Sequence, residues 1–214
     1  MSINRIINQI RNEEKEFITI DELKPYSEKF YYKSNNVINY LINQGDIIQI
    51  LQDLYYIKSK IEMESKNSKY SLLEIVSKAM SLKKISNWYF GLYTALELNN
   101  ISTEHNNELF YVFNDMFYKN EPINISGHPF KFFKFKTASY PFGIKSNKVK
   151  YSDLERTILD FINIQKNNRV HDRRIINNVS IYMKDASIEK LLSYVEYYPA
   201  DIMNILQLAI NSAK

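Results

Sequence analysis

The stretch "SNNVINYLINQGDIIQILQDLYYIKS", Ser34–Ser59, limits the possible folds more than any other part of the chain. Val37, Ile38, Leu41 and Ile42 recur at the three- and four-residue spacing of one helix face. Ser34 and Asn35 are the expected caps, because their side chains can accept from free N–H groups of a first turn. Gly45 stands where a helix ends on a left-handed residue. The runs "DIIQI" and "LYYIK" then flank Leu51–Asp53 in the pattern of a hairpin. A helix stopped by glycine and followed at once by a hairpin buries one face and leaves its polar face outward.

The segments before it complete a unit. Ile3, Ile6, Ile7 and Ile10 predict a helix from Ile3 to about Lys15. "FITIDEL" predicts a short extended piece and then a second helix, with Asp21 as its cap and Pro25 near its first turn. Helix, short strand, helix, helix, hairpin is the order of a winged helix-turn-helix. The pattern as a whole predicts an α+β chain. A winged helix-turn-helix covers 1–62, "KIEMESKNSK" is a polar connector, and a mixed α/β domain with a small sheet and several helices covers 63–214. In that second part helices are expected at Ser71–Ser81 and Ser86–Leu98. Strands are expected at Leu109–Asn114, Ile123–Ile125, Phe130–Lys136 and Phe142–Ile144, and helices near Arg174–Tyr182, Ser187–Tyr197 and Ala200–Ala213. "SDLERTILDFINI" has Ser152 and Glu155 at capping-box spacing and a stripe of Leu154, Ile158, Phe161 and Ile162.

In a helix-turn-helix the second helix offers its polar face to the major groove. Here that face holds Asn35, Asn36, Asn39, Tyr40 and Asn43, with Lys33 just before it. An asparagine amide can bond adenine N6 and N7 together, which makes Asn36 and Asn39 the candidate base readers. The hairpin would supply Gln49, Gln52 and Lys58 as wing contacts. Residues 1–60 hold equal numbers of basic and acidic residues, so the net charge of +4 arises after them. That balance favours the bland alternative, a protein-interaction module, because nonspecific DNA affinity comes from displaced counterions. Lys131, Lys134, Lys136, Lys145, Lys148 and Lys150 form a second candidate surface, with no acid among them in sequence.

Catalysis is not expected. With no cysteine there is no disulfide and no thiolate metal site, and four glycines leave little room for a phosphate loop. His105, His128 and His171 are far apart, and His128 in "SGHP" reads as a turn residue. Asp153, Glu155 and Asp160 could be imagined as a magnesium-binding nuclease cluster. The plainer reading gives Glu155 to a cap and pairs Arg156 with Asp160 along a helix surface. "FKFFKFK" breaks strict alternation at Phe132–Phe133, which implies a bulge or a strand buried on both faces. No apolar run reaches the roughly 20 residues of a membrane helix. Charges also interrupt the start of the chain, so no signal peptide is expected and a cytoplasmic location is.

"ISNWYFGLYTALELNNI", "FKFFKFK", "FGI" and "VKYSDLERTILDFI", in this order after the winged-helix pattern, resemble the AbiEi family of abortive-infection antitoxins, from type IV toxin–antitoxin systems of phage defence. The resemblance implies an antitoxin that binds inverted repeats in operator DNA and represses its own operon. It also implies a C-terminal domain that counters a nucleotidyltransferase-like toxin, directly or functionally, with no cofactor. By position the reading helix would be Asn35–Asn43 and the wing Ile47–Ile57. The wing departs from the family's R-x-G-x-Y pattern, reading "QILQDLYYI" with Gln49 near the place of the arginine. The lysine-rich stretch is then the expected toxin-neutralisation surface.

Overall fold

The computed structural model describes residues 2–101, 108–136 and 142–212; His105 and Ala213 lie outside them. The fold is mixed α+β. Its contacts divide it into two compact units, Met1–Lys84 with Asn124–Gly127, and Ile85–Ile123 with His128–Lys214.

The first unit runs α1 (Ser2–Asn12), β1 (Phe17–Thr19), α2 (Ile20–Glu28), α3 (Ser34–Gln44), β2 (Ile47–Leu51), β3 (Leu54–Ile57), α4 (Lys60–Ser65) and α5 (Leu72–Leu82). Its three strands form an antiparallel sheet in the order β1-β3-β2. Ile6, Ile7 and Ile10 of α1 bury together with Val37, Ile38 and Leu41 of α3, Leu23 of α2 and Tyr55 of the sheet. Each fully buried aliphatic side chain contributes about 1.5–3 kcal/mol, so three helices share one apolar core. Ile42, expected on the same stripe, is instead 37% exposed.

Several helix ends differ from expectation. Thr19, not Asp21, caps α2, since β1 delivers it in extended backbone. Its side chain accepts from the Glu22 N–H and the Glu22 carboxylate accepts from the Thr19 N–H. Pro25 lies inside α2, beyond its first turn. Ser34 and Asn35 are already helical; Lys33 is the cap position of α3 and makes no side-chain capping bond. Gly45 does end α3 at φ +74. The expected connector folds as α4, because Ser59 and Glu62 form a capping box. The buried Glu62 carboxylate also accepts from the Tyr56 hydroxyl at 2.7 Å and from the Lys69 N–H at 2.9 Å.

Glu16 draws the later residues in. It accepts from Lys69 at 2.5 Å, Tyr70 at 2.7 Å and Lys78 at 3.0 Å. Burial alone would raise its pKa, but these three donors overrule that and hold it at about 2. Through such bonds α4 and α5 group with the helices and hairpin before them, and the first unit extends to Lys84.

In the second unit β4 (Trp88–Phe90), β5 (Phe110–Asn114), β7 (His128–Lys134), β8 (Ile144–Ser146) and β9 (Lys150–Ser152) lie in the order β7-β5-β4-β9-β8; β6 (Ile123–Ile125) falls where the chain changes unit. The β5–β7 and β4–β9 pairs are parallel, and β4–β5 and β8–β9 are antiparallel. The helices are α6 (Leu92–Leu98), α7 (Leu154–Asn167), α8 (Asp172–Ser180), α9 (Ile188–Tyr194) and α10 (Ala200–Ser212). Leu154, Ile158, Phe161 and Ile162 of α7 bury in one cluster with residues of α6, α8, α9 and α10.

The helix expected over Ser86–Leu98 starts only at Leu92, after a three-residue strand. Trp88, Tyr89 and Phe90 are all buried and build β4, consistent with the preference of aromatic residues for a pleated surface. At Gly91 the chain turns into α6 beside the Phe113 ring, so close that a Cβ there would lie 2.5 Å from it. "FKFFKFK" keeps an unbroken register from Phe110↔Phe130 to Asn114↔Lys134, so it holds no bulge. Phe130 and Phe132 are fully buried on one face, while Phe133 packs partly buried against the main cluster on the other. His128 begins β7; the turn before it is Ser126–Gly127, both at positive φ.

Candidate functional site

Two regions are candidates, one in each unit. On α3 the apolar stripe points inward, which leaves Asn35, Asn36, Asn39 and Asn43 exposed on the opposite side with Lys33 beside them. Tyr40 is half-buried, and its hydroxyl lies 3.4 Å from Asn4 Oδ1. Gln49 and Gln52 of the hairpin are exposed. Lys58 is half-buried, and its backbone is tied at both ends: its N–H donates to Asp46 and its carbonyl accepts from Arg11 Nε at 2.7 Å. Arg11 also pairs with the buried Asp46 carboxylate at 2.8 Å, which fixes the start of β2 and the end of β3 against α1. Sequence reading missed Tyr31, which stands 99% exposed at φ +60 in the turn between α2 and α3. Its only signal was its place in an aromatic run, Phe30–Tyr32, between two lysines.

The second region centres on α7. Asp153, not Ser152, caps this helix and accepts from the Arg156 N–H. Ser152 is occupied elsewhere, 2.7 Å from the Thr157 hydroxyl. Glu155 does not close a capping box; it accepts from the Ser187 N–H at 2.8 Å. Arg156 and Asp160 are not on a surface. They are 1% and 4% exposed, with Arg156 Nε 3.9 Å from Asp160 Oδ2. The guanidinium lies over the Tyr89 ring at 4.1 Å and the Phe142 ring at 4.3 Å. Tyr89 and Tyr198 donate to the two oxygens of Asp160 at 3.0 and 2.7 Å. Burial raises the Asp160 pKa, against the pull of Arg156 and of the two tyrosines.

Above this cluster opens a cavity of about 600 Å³, lined by aromatic rings, by Lys134 and Lys136, and by Asn163, Asn167 and Asn168 of the end of α7. The six lysines of the middle stretch are spread over the sheet rather than gathered. Lys131 and Lys134 are on β7, Lys145 and Lys150 on β8 and β9, with β5 and β4 between. Lys131 donates to the Asn120 carbonyl, Lys145 to Asn99 Oδ1 at 2.7 Å and Lys150 to the Ser86 carbonyl at 2.9 Å. Lys134, Lys136 and Lys148 are exposed.

The carboxylates considered for a nuclease have structural partners: Asp153 the Arg156 N–H and Tyr194, Glu155 the Ser187 N–H, both of them Lys190 at 3.8 Å, and Asp160 two tyrosines. Among the described residues no group of three or more His, Asp or Glu side chains could hold a metal ion. His171 accepts the Arg173 N–H as the cap of α8. No described helix is long and apolar enough to cross a membrane.

The arrangement defines an α+β protein in which a helix–hairpin unit precedes a mixed sheet flanked by helices. The crystal structure of the RV2827C protein from Mycobacterium tuberculosis shares this fold with a TM-score of 0.60, over 99% of this chain and 77% of that one. At 8% sequence identity the likeness concerns the fold alone. No family model matches the sequence, and no curated protein matches it.

Proposed function

We propose that this chain is an antitoxin–repressor of AbiEi type, whose winged helix-turn-helix binds operator DNA and whose second unit counters a nucleotidyltransferase-like toxin in the cytoplasm. The observation that carries the DNA half is the outward asparagine face of α3, held by buried Val37, Ile38 and Leu41 and followed directly by the β2–β3 hairpin. Asn36 and Asn39 read bases, while Lys33 and the first-turn amides meet a phosphate. Gln49 and Lys58 make the outer contacts, Gln49 from the hairpin and Lys58 just beyond it.

The test is binding of the full chain to the DNA upstream of its own gene across a salt series. Sequence-specific binding is expected, and Asn36→Ala with Asn39→Ala should weaken it by at least about tenfold, since each bidentate base contact contributes about 1–3 kcal/mol of discrimination. Unchanged affinity in the double variant would remove α3 as the reading element. The charge balance of residues 1–60 favours a second reading, a partner-docking module, and absence of any DNA binding at low salt would select it.

For the toxin half, the split of the lysines between two parts of the sheet calls for two variants. One reverses Lys134 and Lys136, the other Lys148 together with Lys145. Loss of rescue from toxin in only one of them identifies the neutralising side; full rescue in both would discard a lysine surface altogether.

A further inference from the structure

The cavity above Arg156 has no part in the operator reading, and its chemistry is distinctive. At about 600 Å³ it falls within the roughly 300–1,000 Å³ of small-molecule sites. Its accessible walls are flat: Tyr118 and Tyr197 are 53% and 51% exposed where they line it, and Phe133 and Phe135 are partly exposed behind them. Such rings take a planar ligand by stacking, with little regard to its identity. Lys134 and Lys136, both exposed, give this opening a positive rim.

Among the described residues the single acid in the lining, Asp160, is buried, accepts from two tyrosines and lies beside Arg156, so it does not offset that rim. The remaining wall is amide. Asn163, Asn167 and Asn168 each carry a donor and an acceptor, and Asn167 Nδ2 already leans on Asn163 Oδ1 at 3.4 Å. A fatty acid or other acyl anion would use the lysines and pack on the rings, but would leave the amides without partners. A ligand that is at once planar, anionic and furnished with amide-like edges uses all three.

We propose that this cavity binds a mononucleotide, with its base against the Tyr118 and Tyr197 rings, its base edge on the asparagines of α7 and its phosphate on Lys134 and Lys136. The site is independent of the α3 face and of any operator. Beneath it the Arg156 guanidinium lies over the Tyr89 ring at 4.1 Å and the Phe142 ring at 4.3 Å, and Arg156 Nη1 donates to the Phe142 carbonyl at 2.5 Å.

The experiment is calorimetric titration of the full chain with AMP, GMP, CMP and UMP. The corresponding nucleosides, inorganic phosphate and an RNA trinucleotide serve as controls. At least one mononucleotide should bind in the range of about 10 µM to 1 mM. The Lys134→Ala/Lys136→Ala double variant should weaken it about tenfold, as two exposed charge contacts allow, and the nucleoside should bind as weakly to the unaltered chain. Both lysines are exposed, so the melting temperature of that variant should stay unchanged, and Lys134→Arg/Lys136→Arg should retain binding. Four outcomes would each overturn the proposal: no mononucleotide bound at millimolar concentration, equal affinity in the double alanine variant, inorganic phosphate bound as tightly as a nucleotide, or the trinucleotide bound while every mononucleotide is ignored.

Discussion

Each unit buries an ion pair, and the two pairs differ in how they are supported. Arg11–Asp46 in the first unit meets at 2.8 Å with both side chains just over a tenth exposed, joining the end of α1 to the start of β2. Arg156–Asp160 in the second is 3.9 Å apart, deeper, and depends on others: two rings against the guanidinium and two tyrosine hydroxyls on the carboxylate. A close pair near water needs little help, here one further acceptor, the Lys58 carbonyl. A deep pair must be solvated by its neighbours, because removing a charge from water costs several kcal/mol that the partner charge alone does not return.

The comparison breaks most sharply at Asp160. Asp160→Ala leaves a buried guanidinium without its counter-charge and the hydroxyls of Tyr89 and Tyr198 without their acceptor, and should cost about 3–5 kcal/mol in denaturant unfolding of the second unit. Asp46→Ala, where water can reach Arg11, should cost about 1.5–3 kcal/mol. Equal losses would mean that depth does not separate the two pairs. Next in size is Gly91→Ala, whose Cβ would displace the Phe113 ring from its stack on Tyr89 and cost about 1–3 kcal/mol.

Acid sharpens the contrast through Glu16 and Asp160. The folded-state pKa of Glu16, about 2, lies below the ordinary 4.5, so its contribution is full above pH 4.5 and is lost as the pH falls towards 2. Asp160 is shifted upward, so the cost of its charge is present above its folded-state value and relieved as the pH falls through it. Stability of the first unit measured between pH 5 and 2 should therefore decline, and Glu16→Gln should flatten that decline. The smallest effect on stability should come from Asn36→Ala with Asn39→Ala, within about 0.5 kcal/mol, since both side chains are exposed.

What could be read from the sequence follows the same divide. The α3 stripe, the Gly45 stop and the β2–β3 hairpin are local, so periodicity and turn chemistry reveal them. Helix caps were less legible. Thr19 and Asp153 acquire their roles from the extended backbone that leads into them, and residue type alone does not report that. The polar composition of Lys60–Ser65 concealed a capping box whose glutamate is bonded by Tyr56 and Lys69. Trp88–Phe90 looked helical because its partners, Val112 to Asn114 and Tyr151, are distant in the chain. The Arg156 cluster was invisible for the same reason. Spacing puts Arg156 and Asp160 on one helix face but says nothing of whether that face meets water or Tyr89, Phe142 and Tyr198.

The order of the second sheet also bears on the time course of folding. In the first unit β2 meets β3 across a tight turn, so its sheet can nucleate as soon as the hairpin exists. In the second, β4 lies between β5 and β9, and the parallel pairing Phe90↔Tyr151 must wait until the chain beyond residue 150 is available. Closing so large a loop is slow. On a ribosome the continuous part of the first unit, Met1–Lys84, therefore emerges early, while the aromatic edge of Trp88–Phe90 remains without its second neighbour until late in synthesis. That interval is when this chain is most exposed to aggregation.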